Sequence, residues 1–239
     1  MKHMKLYDVL TKPPVLHRII WWATRAVLWA WGISSLVLEG FGMTFVQAMF
    51  CIAFTHLWDM FQFFGYFAPI GKVKYQAQTA LNLFIVFAAV LGQFAGLYNF
   101  IGPYDLVMHV LSGLLVGWFA YDLTFVFQRD SRPPDVLMSV AFALMTGAGV
   151  ACLWEIYEFT VDTFGGTNMQ CSSLFSNSGL MDTMTDVLCG VAGTIVGTFA
   201  TMLQRIGLIG RNRKARRAAH KALYAKGAPN PPEKNTPEA

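Results

Sequence analysis

The sequence predicts an all-α, polytopic membrane protein of about six transmembrane helices in one bundle, with both termini in the cytoplasm. Three observations carry that prediction. Of 239 residues, 55% are hydrophobic and only 13% are charged, against roughly 25% charged in soluble domains, and the mean hydropathy is +0.44. Apolar runs of the roughly 20 residues that cross a bilayer as a helix recur along the chain, and 75–104, 136–154 and 187–204 carry no charge at all. Among the connections, Lys and Arg occur only in alternate ones.

Residues 1–18 form a basic N-terminal segment (Lys2, Lys5, Lys12, Arg18). The first span, 19–38, has a long apolar run with no small-residue cleavage site after it, so it reads as a membrane helix rather than a cleaved signal. Its tryptophans (Trp21, Trp22, Trp29, Trp31) suit interface anchoring and lipid-facing bulk. The second span, 46–69, carries His56 and Asp59. The third, 77–98, is uncharged. The fourth, 105–127, opens with Asp105 and His109. The fifth, 136–162, closes with Glu155, Glu158 and Asp162, and the sixth, 182–206, opens with Asp182 and Asp186. Together they define a membrane domain over 19–206. The tail, 207–239, is basic from Arg211 to Lys226 with no acid before Glu233. It is expected to attract anionic cytoplasmic lipid and to be disordered beyond Gly227.

Orientation follows from the charges. The N-terminal segment, Lys72 with Lys74, Arg129 with Arg132, and the tail from Arg205 are positive, whereas 39–45, 99–104 and 163–181 hold no Lys or Arg. Positive connections stay in the cytoplasm, so spans 4 and 6 start from the outer face.

Two stretches are variants of one motif: Asp105-Leu-Val-Met-His109-Val-Leu-Ser-Gly113 and Asp182-Thr-Met-Thr-Asp186-Val-Leu-Cys-Gly190. Residues four apart lie about 40° apart on a helix and one turn apart along it. Asp105 and His109 therefore share a face, as do Asp182 and Asp186, while Glu155, Glu158 and Asp162 line a third stripe. His109 and Asp186 fall about 6 Å inside their helix starts, and Glu155 precedes an outer helix end, so all three stripes meet one layer under the outer surface. Carboxylates this close require protons or a counter-cation. An oxygen-rich set with one imidazole suits a divalent metal ion: Mg²⁺, Mn²⁺, Zn²⁺ or iron. Asp105 and Asp182 also sit where an acid serves as an N-cap or meets the helix dipole. That reading fails for Glu155, near a helix C-terminus, and for His109 and Asp186, a turn inside the membrane. Counting back from a span end just before Pro69 places His56 and Asp59 near the same layer, as further candidate ligands, whereas an earlier start to the span places the pair deeper and separate.

The outer loop Gly165-Gly166-Thr167-Asn168-Met169-Gln170 joins two stripes and reads as a lid, with Asn168 and Gln170 as candidate contacts to a substrate headgroup. Gly113 and Gly190 are expected to allow close helix contacts, with Gly117 less critical. Cys51, Cys152 and Cys189 read as small core hydrophobes, and Cys171 has no obvious sequence partner. Thiolate zinc spacings, a P-loop, a dinucleotide fingerprint and a Gly-x-Ser-x-Gly elbow are all absent from the sequence. A nucleic-acid partner is not expected either, because the basic run adjoins a membrane span.

The segments Tyr104-Asp105…His109…Ser112-Gly113, Trp154-Glu155-Ile-Tyr157-Glu158 and Gly166-Thr-Asn-Met-Gln170…Asp182-Thr-Met-Thr-Asp186 resemble the YjdF-like family of bacterial inner-membrane proteins over about 90–190. The resemblance implies a multi-span helical fold in the bacterial plasma membrane and no particular activity. A fainter similarity to VanZ-like membrane proteins touches Asp186-Val-Leu…Gly.

On residues alone, the leading expectation is a metal-dependent hydrolase or transferase acting at the outer leaflet on a lipid-linked substrate, with His109 and Asp186 as ligands and Glu155 and Glu158 as catalytic acids or bases. A cation- or proton-coupled transporter and a non-enzymatic metal-binding accessory protein are the alternatives. The cytoplasmic halves of spans 3, 5 and 6 read as almost purely apolar, which favours a one-sided site over a through-path.

Overall fold

The computed structural model describes residues 14–63, 75–127, 134–171, 178–210 and 213–227, with the backbone alone at 57–63, 171, 223, 224, 226 and 227. Every regular element among them is helical. In order these are α1 (Val15–Glu39), α2 (Met43–Phe63), α3 (Tyr75–Ile85) continued by a π-helical segment (Val86–Phe94), the short α4 (Leu97–Phe100), α5 (Tyr104–Phe127), α6 (Val136–Gly165), a 3-10 turn (Met169–Cys171), α7 (Gly179–Arg205) and α8 (Arg213–Gly227). Four units are long and apolar enough to cross a bilayer: Tyr75–Phe94, α5, α6 and α7. α1 has the length, with Arg25 in its middle, and α2 is apolar over Met43–His56, the part whose side chains are described. The all-helical membrane fold is as expected. Lys72, Lys74, Arg129, Arg132 and segment 1–13, which carry much of the orientation reading, lie outside the described residues.

Local chemistry sets the helix ends. Asp135 caps α6 by accepting from the Met138 amide at 3.0 Å, and Ser178 caps α7 by accepting from the Met181 amide at 3.2 Å. Gly166 (φ 67°) closes α6. The third span stops at Phe94 rather than 98, because Gly96 takes a left-handed backbone (φ 78°) that ends the helix.

α5 packs most extensively against α7. A Cβ on Gly113 would overlap the Gly190 carbonyl, and one on Gly117 would stand 2.5 Å from the Thr194 carbonyl oxygen. Reciprocally, a Cβ on Gly193 would overlap the Val110 carbonyl and one on Gly197 that of Leu114. Gly113 and Gly117 thus correspond to Gly193 and Gly197 across a local two-fold, in the close small-residue contact that membrane helices use. This differs from the expectation in two ways. Gly117 faces backbone as Gly113 does, whereas a Cβ on Gly190 would meet the Ala151 side chain at 3.1 Å and the His109 carbonyl oxygen only at 3.9 Å. The contact register is also three residues off the motif register that aligns Gly113 with Gly190.

α1, α2 and α3 form a second group around Leu28, Trp31, Ala48 and Ile52. Here the expected apolar cytoplasmic half of span 3 is corrected: Gln78, Thr79 and Asn82 are buried. The Trp21 indole donates to Thr79 Oγ1 at 2.7 Å, and the buried Arg25 donates to the Thr55 carbonyl at 2.9 Å. Of the four α1 tryptophans, Trp21 and Trp31 are buried and Trp22 and Trp29 exposed, so only half of them match the lipid-facing expectation.

At the far end of the bundle, Arg205 of α7 donates through Nε (2.8 Å) and Nη2 to Asp122 Oδ1 of α5, with its guanidinium 4.9 Å from the Phe125 ring. Charged hydrogen bonds contribute about 1.5–3 kcal/mol each. Asp122→Ala is therefore expected to lower the thermal unfolding midpoint of detergent-solubilised protein, as is Arg205→Ala, with the double variant close to either single; fully additive losses would show that the two residues act separately.

The basic part of the tail forms α8, where its alanines (Ala215, Ala218, Ala219, Ala222) favour helix. Gly207 (φ 79°) lets α8 fold back, its Cα site standing so close that a Cβ would lie 2.5 Å from the Arg217 nitrogen.

Candidate metal centre

The α5–α7 register explains how the cluster forms. With Gly113 level with Gly193, Asp186 of α7 comes level with Leu106, between Asp105 and His109. The Asp105–His109 pair, one turn apart on α5, therefore brackets the Asp186 carboxylate. His109 Nε2 lies 3.5 Å from Asp105 Oδ1 and 3.7 Å from Asp186 Oδ2. One ligand atom from each of the three residues lies within 4.8 Å of the others, and all three residues are buried.

Those separations are informative. A charge-assisted N–H···O bond is about 2.7–2.9 Å, so neither contact is a well-made hydrogen bond. Tetrahedral ligands about 2.1 Å from a metal stand about 3.4 Å from one another, close to both observed distances. Neither oxygen of Asp186 has a hydrogen-bond partner. One imidazole and two carboxylates on a tight helix pair thus fit a divalent cation and leave a coordination position free, as catalytic sites do.

α6 supplies the next carboxylates. Glu155 is 5% exposed, with neither oxygen hydrogen-bonded. It interacts electrostatically with His109, Asp105 and Asp186, and Thr183 approaches it without completing a hydrogen bond. Glu158 Oε1 accepts from the Trp154 indole at 2.8 Å, and this acid feels the charges of Glu155, His109 and Asp105. Asp182 is 1% exposed and interacts with Asp186. Ser178 is the α7 cap, and Asp182 lies in the first helical turn behind it. Asp105 likewise faces His109 from the first turn of α5.

The remaining candidates are placed differently. Asp162 clips the loop after α6: its Oδ1 accepts from Thr167 Oγ1 at 2.5 Å and the Met169 amide at 2.7 Å, and its Oδ2 from the Gln170 amide at 2.9 Å. A carboxylate so satisfied organises the loop rather than presenting ligand oxygens. The Gln170 side chain donates to Thr183 Oγ1 at 3.1 Å, linking the loop to the residue beside Glu155. Asn168 is exposed. His56 donates Nδ1–H to the Ile52 carbonyl of its own helix at 2.8 Å and is outside the three-residue set; the Asp59 side chain lies outside what is described.

One further residue borders the site without having been singled out from sequence. Tyr98 of α4 is in electrostatic reach of Asp105, Glu158 and Asp186, its ring filling the space that a side chain on Gly92 would take. Gln93 of the π-helical segment donates to Gln47 Oε1 at 2.7 Å. A π-helical stretch in a membrane span marks functional sites often enough to be a usable signal, but it has no motif of its own in sequence.

The family described as "Predicted membrane protein (DUF2238)" matches residues 72–206. The chain belongs to this family of membrane proteins. The matched region holds α3 through α7, and with them every residue of the three-helix cluster; α1, α2 and α8 lie outside it. A Thermotoga maritima relative described as an uncharacterized protein is 30% identical over 124 residues, covering 51% of this chain and 59% of its own length. The aligned part thus spans little more than half of that relative. No solved structure matches the chain. Family membership agrees with the resemblance carried by the motifs of α5, α6 and α7, and it supports a multi-pass membrane location.

Proposed function

We propose that this protein is a metal-dependent membrane hydrolase or transferase, working from the extracytoplasmic side of a bacterial plasma membrane on a lipid-linked substrate. The observation that carries the reading is the spacing of His109 Nε2 from Asp105 (3.5 Å) and Asp186 (3.7 Å): too long for charged hydrogen bonds and near the edge length of a metal coordination polyhedron. A divalent cation there would supply Lewis acidity toward a phosphoryl or ester oxygen. Glu155 is the candidate base, buried beside the ligands with no donor on its oxygens. Glu158, oriented by Trp154, is the second candidate acid or base.

Packing beneath the cluster favours this over cation transport. Directly inward of His109, backbone meets backbone at Gly113, Gly117, Gly193 and Gly197, and Thr194 fills the space a side chain on Gly147 would need. Two hydroxyls of α7 bond to their own helix, Thr194 to the Gly190 carbonyl and Thr201 to that of Gly197, both at 2.8 Å. A path through this seam would have to break it.

With both termini cytoplasmic, the Gly166–Gln170 loop faces out and α8, basic through Arg213, Lys214, Arg216, Arg217 and Lys221, lies along the anionic cytoplasmic leaflet. Cysteine introduced at Asn168 should react with an impermeant maleimide in intact cells, and cysteine at Ala225 only after permeabilisation. The opposite pattern would put the cluster on the cytoplasmic side. For the activity, full-length protein in mixed micelles of phosphorylated lipids should release phosphate or transfer the headgroup, with loss on chelation and in Glu155→Gln. Turnover that survives chelation would refute the metal-dependent reading.

A further inference from the structure

We infer that the cluster holds two divalent cations, the second lying between Asp186 and Glu155. This rests on the proposed first site at Asp105, His109 and Asp186, and goes beyond it in number of ions and kind of substrate. Five carboxylates are buried in one layer: Asp105 (7% exposed), Glu155 (5%), Glu158 (6%), Asp182 (1%) and Asp186 (1%). A single divalent cation offsets two of these five charges, and a neutral ligating imidazole offsets none.

Glu155 supplies the independent sign. It stands outside the three-residue set, yet neither of its oxygens receives a hydrogen bond. Leaving such a group buried without a partner costs about 1–3 kcal/mol, and more when it is charged. Asp186 shares the trait: Oδ2 faces His109 at 3.7 Å, and Oδ1 is also without a donor. Asp186 and Glu155 interact with each other. Asp186 thus offers a second oxygen without a donor, beside the one that faces His109. Thr183, held by Gln170 at 3.1 Å, stands within reach of Glu155. A second site made only of carboxylates suits a hard cation, Mg²⁺ or Mn²⁺. Two such cations, about 3.5–4 Å apart in paired centres, fit a phosphoryl group whose oxygens reach both, which narrows the substrate to a phosphorylated lipid.

The test uses the purified full-length chain equilibrated with Mn²⁺, metal content measured after removal of free ion and the spin state read by EPR. Two equivalents per chain with a spin-coupled signal are expected, and Glu155→Gln, close in shape to the native residue, should keep one equivalent with the uncoupled signal of an isolated ion. One equivalent in the unaltered protein would overturn the inference and leave the first site standing, the remaining carboxylates then being neutralised by protons. Two equivalents in Glu155→Gln would overturn the placement of the second ion. No bound Mn²⁺ at all would remove the first site and the inference together. If Glu155→Gln fails to fold, stoichiometry and coupling in the unaltered protein decide alone.

Discussion

His109→Ala is expected to weaken Mn²⁺ or Zn²⁺ binding by more than the 10–100-fold typical of losing a mere outer-shell partner of a metal, with Asp186→Asn at least as severe. Both residues are direct members of the three-ligand set, and His109 is its only nitrogen donor. Asp162→Asn is the informative contrast. Its carboxylate is committed to Thr167, Met169 and Gln170, so affinity should fall little while the loop becomes more susceptible to proteolysis. Competition against a chromogenic chelator reads all three affinities. A His109→Ala protein binding as tightly as the native one, or an Asp162→Asn protein losing metal as His109→Ala does, would place the ion elsewhere.

Gly113→Leu is expected to be the most disruptive single change to the fold. The side chain would be driven into the Gly190 carbonyl and towards the Thr194 nitrogen, 2.9 Å from the first added carbon, and backbone cannot move aside as a side chain can. Overpacking a well-filled interior costs about 1–3 kcal/mol, and an obstacle of backbone on the most extensively packed helix pair exceeds that range. Gly193→Leu should match it, being its counterpart across the two-fold. Gly149→Leu is the control, since nothing lies within 4 Å of that position. Thermal unfolding of detergent-solubilised variants separates the cases: equal midpoints for Gly113→Leu and Gly149→Leu would contradict the seam described for α5 and α7.

Much of the membrane fold was legible because charge is so sparse. Spans 4, 5 and 6 were bounded by charged residues or prolines and appear as α5, α6 and α7 to within a few residues. The acids were legible too, since an ionisable group in an apolar run is costly and stands out. What spacing alone could not reveal was partnership. Asp162 shares the stripe of Glu155 on a helical wheel, yet the loop that follows it folds back and takes its oxygens. His56 lies at a plausible depth but is satisfied by its own helix. The matching motifs of α5 and α7 suggested equivalent halves, whereas packing is decided by which glycines admit backbone, and that register is shifted by three residues. Arg25 carries a readable signal, a lone cation inside an apolar run, but no spacing rule points to its acceptor, the Thr55 carbonyl on another helix. Tyr98 had no signal of its own; it comes near the acids only because Gly96 ends the third span early.

The most direct test of the account is anomalous diffraction from crystals of the full-length protein grown with Mn²⁺ or Zn²⁺, recorded at the absorption edge of the metal. A peak within about 2.0–2.3 Å of His109 Nε2 and of an oxygen from each of Asp105 and Asp186 is the predicted result. Well-ordered side chains at all three positions with no peak between them, at saturating metal, would contradict it.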